Sequence, residues 1–161
     1  MDIWRIIHLL CIVWLSAGLG SIVPLIIRAW ITNDVSTQMQ CLVEAAQNET
    51  RILLPGAMAT GISGFFWGIA AGHHFLRDGW LLAMTLLFIF CYLLCLPLLG
   101  VGLRRARTAS LIAAKQGKVT EELKDLLDDR VPLVFGAVLV LAMPLFVFFA
   151  VFLFFVTMES V

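Results

Sequence analysis

Three histidines, six methionines and four cysteines are the side chains of this 161-residue sequence best suited to hold a metal or pass a proton. His8 stands less than one turn inside the first of four long apolar stretches, and His73 and His74 close the second. Ionisable groups are costly inside a bilayer, so each is read as a functional group. Imidazole and thioether groups are among the ligands of haem iron, and Met84, near the start of the third stretch, adds a thioether. His8, His73, His74 and Met84 are therefore an axial-ligand set for haem iron. A structural reading stands beside each. His73 and His74 are interfacial residues next to Phe75, Leu76 and Arg77, His8 hydrogen-bonds a neighbouring helix, and Met84 packs.

The same stretch that ends at the paired histidines carries Gly64, Gly68 and Gly72 one turn apart, with Gly61 just before. Such a stripe lets a second helix approach closely, or presents Gly64 and Gly68 as a flat face for a porphyrin. Cys91 and Cys95 share a helix face and read as small packing residues. No Cys-x-x-Cys pattern occurs, so the spacing supports neither a zinc ribbon nor covalent haem attachment. Copper sites gather several methionines or histidines, and here the methionines are scattered. Asn48-Glu49-Thr50 matches a glycosylation sequon by chance.

Four spans must position these groups. Hydrophobic residues make up 61% of the chain and charged residues 14%, against roughly 45–50% apolar and 25% charged in soluble domains. About 20 apolar residues cross a bilayer as a helix. Spans are read over residues 6–27, 52–74, 80–103 and 131–157, giving an all-α integral membrane four-helix bundle in one membrane domain, 1–161. The 11 basic and 11 acidic side chains cancel, which excludes a nucleic-acid binder. Their placement is lopsided, however. Nine basic residues, Arg130 among them, fall in the connections 28–51 and 104–130, against Arg5 and Arg77 on the other side. By the positive-inside rule those two connections are cytoplasmic and both termini extracytoplasmic, which brings the histidines and Met84 to one level. The first span is too long for a signal peptide and is read as retained.

Within the connections, residues 32–50 are read as polar chain lying along the membrane surface. The third span is expected to run on as helix to about Gln116, turn at Gly117, resume at Thr120 and enter the last span at Pro132. Pro97 and Pro144 are expected to kink their spans. The fourth span carries Phe146, Phe148, Phe149, Phe152, Phe154 and Phe155 all round, a distribution suited to lipid, pigment or a neighbouring subunit.

Trp4-Arg5-Ile6-Ile7-His8, then Val13-Trp14-Leu15-Ser16-Ala17-Gly18-Leu19 with Pro24, resembles the first helix of HemJ-type protoporphyrinogen oxidases. The resemblance continues through Leu54-Pro55-Gly56-Ala57-Met58, Thr60 and Gly64, then Gly79-Trp80-Leu81, and ends on Leu127-Asp128-Asp129-Arg130-Val131-Pro132. It covers nearly the whole chain in short motifs, and extends to the CopD-like four-helix membrane proteins. It implies a four-helix bundle with a b-type haem and matches His8 to the haem-linked histidine. The functional lysine of the third helix has no match, because Met84 stands at that position. The sequence thus reads as a divergent member, a haem b-binding membrane protein or subunit that transfers electrons near the extracytoplasmic face. Two alternatives stay open: a divergent porphyrinogen oxidase, which leaves enzymatic activity undecided, and a haem-free accessory subunit of a larger respiratory or photosynthetic complex. The expected surroundings are membrane lipid, other subunits of a redox complex or further copies of the chain, in a bacterial inner membrane.

Overall fold

The computed structural model describes residues 3–118, 120–129 and 131–159, with side chains up to 148; Arg130 and the side chains of Phe149, Phe152, Phe154 and Phe155 lie outside the described ones. The chain is helical, with no strand among the described residues. Helix α1 spans Ile3–Ile31, α2 Val35–Asn48, α3 Leu54–Ala70, α4 Gly79–Phe90, α5 Leu96–Gln116, α6 Glu121–Asp128 and α7 Val131–Glu159. Four helical runs are long and apolar enough to cross a membrane.

Residues 32–50 do not lie along the surface. After a short break at Thr32–Asp34, the chain forms one helical run from Val35 to Ala70. Asp34 caps its start, its carboxylate accepting from the Thr37 amide at 2.9 Å and the Thr37 hydroxyl at 2.6 Å. Gln38, Cys41, Leu42, Ala45, Ala46 and Glu49 then recur at helical spacing as a buried stripe. The stripe packs against α1 and α5, so the bundle continues beyond the second apolar segment. Asn48 and Thr50 of the sequon are part of this run, and the Thr50 hydroxyl shares its one proton between the Ala46 carbonyl at 3.1 Å and the Glu49 carboxylate at 3.0 Å.

Two π-helical turns interrupt the long runs, Glu49–Leu53 between α2 and α3, and Cys91–Cys95 between α4 and α5. Pro55 and Pro97 explain both. A proline ring collides with the carbonyl four residues back, here that of Arg51 and of Leu93. The wider π turn makes room for that carbonyl. The amides of Leu54 and Leu96 accordingly donate to the carbonyls five residues back, on Glu49 and Cys91. Helix α7 runs unbroken through Pro144.

The remaining punctuation follows the sequence. Gly117, at φ +64°, ends α5 in the left-handed region that favours glycine. The Thr120 side chain caps α6 by accepting from the Leu123 amide, with Glu121 and Glu122 in the first turn. Leu123 is fully buried against Ala106, Ala109 and Ala113 of α5 and Leu42 of α2. The Trp30 indole donates to the Leu127 carbonyl and ties the end of α1 to this corner.

Tight packing is concentrated in the half of the bundle nearer the α1–α2 and α5–α6 connections. Ile22, Ile26, Leu53, Leu99 and Leu103 are all fully buried there. The half that carries the N-terminus is more open: α1 buries nothing before Gly18, and α4 buries no residue at all.

Candidate functional site

Two glycines decide where α1 lies on α3. A Cβ at Gly18 would stand 2.9 Å from the Leu53 Cα, and one at Gly56 would stand 3.2 Å from the Leu15 nitrogen. The helices therefore touch backbone to backbone at both places, as small residues permit in membranes. Since α1 and α3 run antiparallel, ten residues beyond the Gly18–Leu53 contact along both helices lie His8 and Ser63. The His8 Nδ1 is 3.0 Å from the Ser63 hydroxyl oxygen.

The Ser63 hydroxyl donates in turn to the Thr60 carbonyl at 3.2 Å. With its single proton on Thr60, its oxygen is left to accept from His8. In that tautomer the imidazole carries its proton on Nδ1 and keeps the lone pair on Nε2. Fixing one ring nitrogen with a hydrogen bond is how proteins orient a ligating histidine. The ring is half-buried, lies over Gly64, where a Cβ would come within 2.9 Å of Cε1, and is flanked by Trp67 with ring centroids 5.5 Å apart.

The glycine stripe is filled by rings. Phe88 of α4 covers Gly61, His8 of α1 covers Gly64, and Phe75 of the following turn covers Gly68, each so close that a Cβ would meet ring atoms at 2.6–2.9 Å. Neither a flat porphyrin platform nor a second helix backbone occupies it. Gly72 serves differently: at φ +75° it terminates α3, while the His73 amide bonds back to the Gly68 carbonyl at 3.0 Å.

That termination leaves His73 and His74 in the α3–α4 turn, beyond the helix end at Ala70. Asp78 gathers them. Its carboxylate lies 3.2 Å from the His73 Nδ1 and accepts from the His74 amide at 3.1 Å. The His73 ring meets Trp80 edge-on at 5.1 Å, and the His74 side chain is exposed. The turn thus holds the His73 ring and the His74 backbone. No group of three or more histidine, cysteine or acidic side chains suited to a metal occurs among the described residues.

Met84 is half-buried on α4. Phe88 meets Gly61, and α4 runs antiparallel to α3. Four residues along each helix, or about 6 Å, therefore bring Met84 level with Phe65, one residue past Gly64 and so close to the level of His8. Between α1–α3 and α4 this half of the bundle is loosely closed, and α4 packs chiefly on α7. A surface groove of about 570 Å³ at Pro24, Ile27, Arg28 and Ile31 lies elsewhere, at least 16 residues or about 24 Å along α1 from His8.

Sequence reasoning did not single out Ser63, nor the ion pair at the other end of the bundle. Glu49 is buried in the first π turn, with its carboxylate 3.2 Å from the Arg104 guanidinium and accepting from the Thr50 hydroxyl at 3.0 Å. It fits against Gly100, where a Cβ would stand 2.5 Å from Oε1. A glutamate six residues before Pro55, with an arginine four after Gly100, was the available signal.

A family model described as a predicted integral membrane protein, DUF2269, matches residues 2–158. The chain belongs to the DUF2269 family. No curated protein and no solved structure matches it. Membership and the four long apolar runs make the chain an integral membrane protein. Within this DUF2269 chain, the glycines of Ala17-Gly18-Leu19 and Leu54-Pro55-Gly56, two motifs behind the HemJ resemblance, are the two backbone contacts that register His8 on Ser63.

Proposed function

We propose that this membrane protein binds a b-type haem through His8 and transfers electrons near the membrane face that carries its termini. The observation behind this reading is the chain of contacts from His8 Nδ1 through Ser63 Oγ to the Thr60 carbonyl; with the proton on Nδ1, Nε2 is left with a lone pair inside an apolar bundle. The residues fit such a group in part. His8 is oriented as a ligand, and Met84 stands close to its level on α4, a helix that buries nothing. Asp78 engages the ring of His73 and the backbone amide of His74. Gly64 and Gly68 shape the packing of His8 and Phe75 rather than face the macrocycle.

A bound haem supplies one-electron chemistry. Ser63 holds the imidazole in one tautomer and raises its basicity, Trp67 limits ring rotation, and the surrounding apolar side chains exclude water. A methionine at the third-helix position favours a higher potential than a nitrogen ligand would, which suits electron transfer over porphyrinogen oxidation. The positive-inside distribution supports placing this end outside the cytoplasm.

The test is a reduced-minus-oxidised spectrum of the purified full chain. The expected result is a b-type α-band that His8→Ala removes. A folded wild-type protein without that band after expression with ample haem overturns the reading.

A further inference from the structure

Helix α1 carries apolar residues on every side, and Arg28 is the one charged side chain between Arg5 and Asp34. Ile22, Ile26 and Ala29 turn inward and are buried. At 3.6 residues per turn, Pro24, Ile27, Arg28 and Ile31 share the opposite side, where all four are exposed. With Thr32 they line a groove of about 570 Å³, a volume in the range of small-molecule sites. Among the described residues no acidic side chain pairs with Arg28. The nearest acid along the chain, Asp34, holds its carboxylate on the Thr37 amide and hydroxyl. The Thr32 hydroxyl oxygen accepts from the Asp34 amide at 3.3 Å, and its own proton is left to donate.

We propose that this groove seats a single anionic phospholipid, its phosphate on the Arg28 guanidinium and the Thr32 hydroxyl, and an acyl chain along Ile27 and Pro24. Guanidinium and phosphate match as a two-pronged, charge-assisted pair. An apolar wall on a helix that spans the bilayer suits an acyl chain. The same side of α1 stays open toward the bilayer interior at Gly20, about one turn before Pro24, where even a Cβ would meet nothing within 4 Å.

Charge chooses the occupant. Arg28 lies in the last turn of α1, where the first apolar stretch ends and headgroups begin. A second copy of the chain packed on this face would bring Arg28 against Arg28 across a two-fold axis, and like charges at close range repel. A zwitterionic lipid brings a cation of its own beside its phosphate, whereas an anionic lipid balances the charge of Arg28. The positive-inside distribution favours the cytoplasmic side for this end, the leaflet whose surface is negative. This site is independent of His8 and of the haem reading.

The experiment adds phosphatidylglycerol, or phosphatidylcholine with the same acyl chains, to the delipidated full chain in detergent, and native mass spectrometry counts the bound lipids. The expected result is one phosphatidylglycerol per chain, held about 5-fold tighter than phosphatidylcholine, the effect of one basic side chain at an anionic lipid. Arg28→Gln brings the two lipids to the same affinity, and Arg28→Lys retains part of the difference. Ile27→Trp fills the groove, keeps the charge and weakens both lipids. Arg105→Gln, at a basic residue exposed on α5, binds as the parent does, and inorganic phosphate displaces neither lipid. Equal affinity for the two lipids in the parent, equal losses in Arg28→Gln and Arg105→Gln, no effect of Ile27→Trp, or displacement by phosphate alone overturns the proposal. So does a lipid-free dimer that Ile27→Trp disrupts, which assigns the face to a second copy.

Discussion

The His8 Nδ1 lies 3.0 Å from the hydroxyl of Ser63, fifty-five residues away on another helix. That hydroxyl spends its own proton on the Thr60 carbonyl 3.2 Å away. A serine donates or accepts as its neighbours require, and the Nδ1–H tautomer of His8 fits this chain of contacts. Ser63→Ala is therefore expected to leave the fold intact and free the imidazole to rotate and change tautomer. In haem-loaded protein it lowers occupancy by about 10–100-fold and raises the midpoint potential, because the imidazole becomes a poorer donor. Ser63→Thr restores both. Redox titration of the three proteins checks this, and equal potentials in all three contradict it.

Gly18 and Gly20 lie two residues apart on α1 in opposite circumstances. A Cβ at Gly18 meets the Leu53 backbone at 2.9 Å, whereas one at Gly20 meets nothing within 4 Å. Gly18→Ala is expected to destabilise the protein by about 1–3 kcal/mol through overpacking and to draw His8 away from Ser63. Gly20→Ala is neutral or stabilising by up to about 1 kcal/mol. Thermal unfolding in detergent separates the two, and equal effects would show that the α1–α3 contact is not close.

Removing Arg104 leaves the Glu49 carboxylate buried without its cation. Breaking a buried pair costs about 3–5 kcal/mol, and the half-exposed Arg104 places this one at or below the low end. Glu49→Gln in the Arg104→Gln background is expected to recover part of the loss, since the remaining group is neutral and keeps its Thr50 contact. A double-mutant cycle on unfolding midpoints measures it, and strict additivity is the contrary outcome.

Asp34, fully exposed, carries a pKa held below its ordinary 3.8, chiefly by the hydrogen bond from the Thr37 hydroxyl and then by that from the Thr37 amide. A carboxyl whose pKa falls on folding stabilises above its unfolded pKa, and that contribution disappears as pH drops through the folded value. The start of α2 is thus expected to loosen only below about pH 4. Asp34→Asn keeps a capping oxygen and loses this acid dependence, which amide exchange at residues 35–38 resolves. The same pH profile in both proteins would remove Asp34 as the cause.

How much of this was legible in the sequence varied with the reach of each signal. Gly117, Thr120 and Pro132 act on their own backbone neighbourhood, and the turn and the two helix starts stand where those residues put them. The stretch from Val35 to Asn48 misled because its polar average hid a stripe, Gln38, Cys41, Leu42, Ala45 and Ala46, that a period of 3.6 makes visible. His8 stood out by its rarity among apolar residues. Ser63 did not, because a serine in a membrane helix gains meaning only once the pairing of α1 with α3 is known, and that pairing depends on Gly18 and Gly56. His73 and His74 were grouped with His8 by depth alone. The Schellman turn at Gly72 and the Asp78 carboxylate, which sequence depth does not reveal, take them into the α3–α4 turn.

The filled glycines of α3 also bear on how α1 can slide. Gly61, Gly64 and Gly68 are notches spaced about one turn apart, so shape alone would let a ring on α1 settle into any of them. Phe88 and Phe75 occupy the notches on either side of His8 and act as stops. The first helix is held like a rack with its adjoining teeth engaged, and an axial slip of one turn must first expel a phenylalanine contributed by another part of the chain.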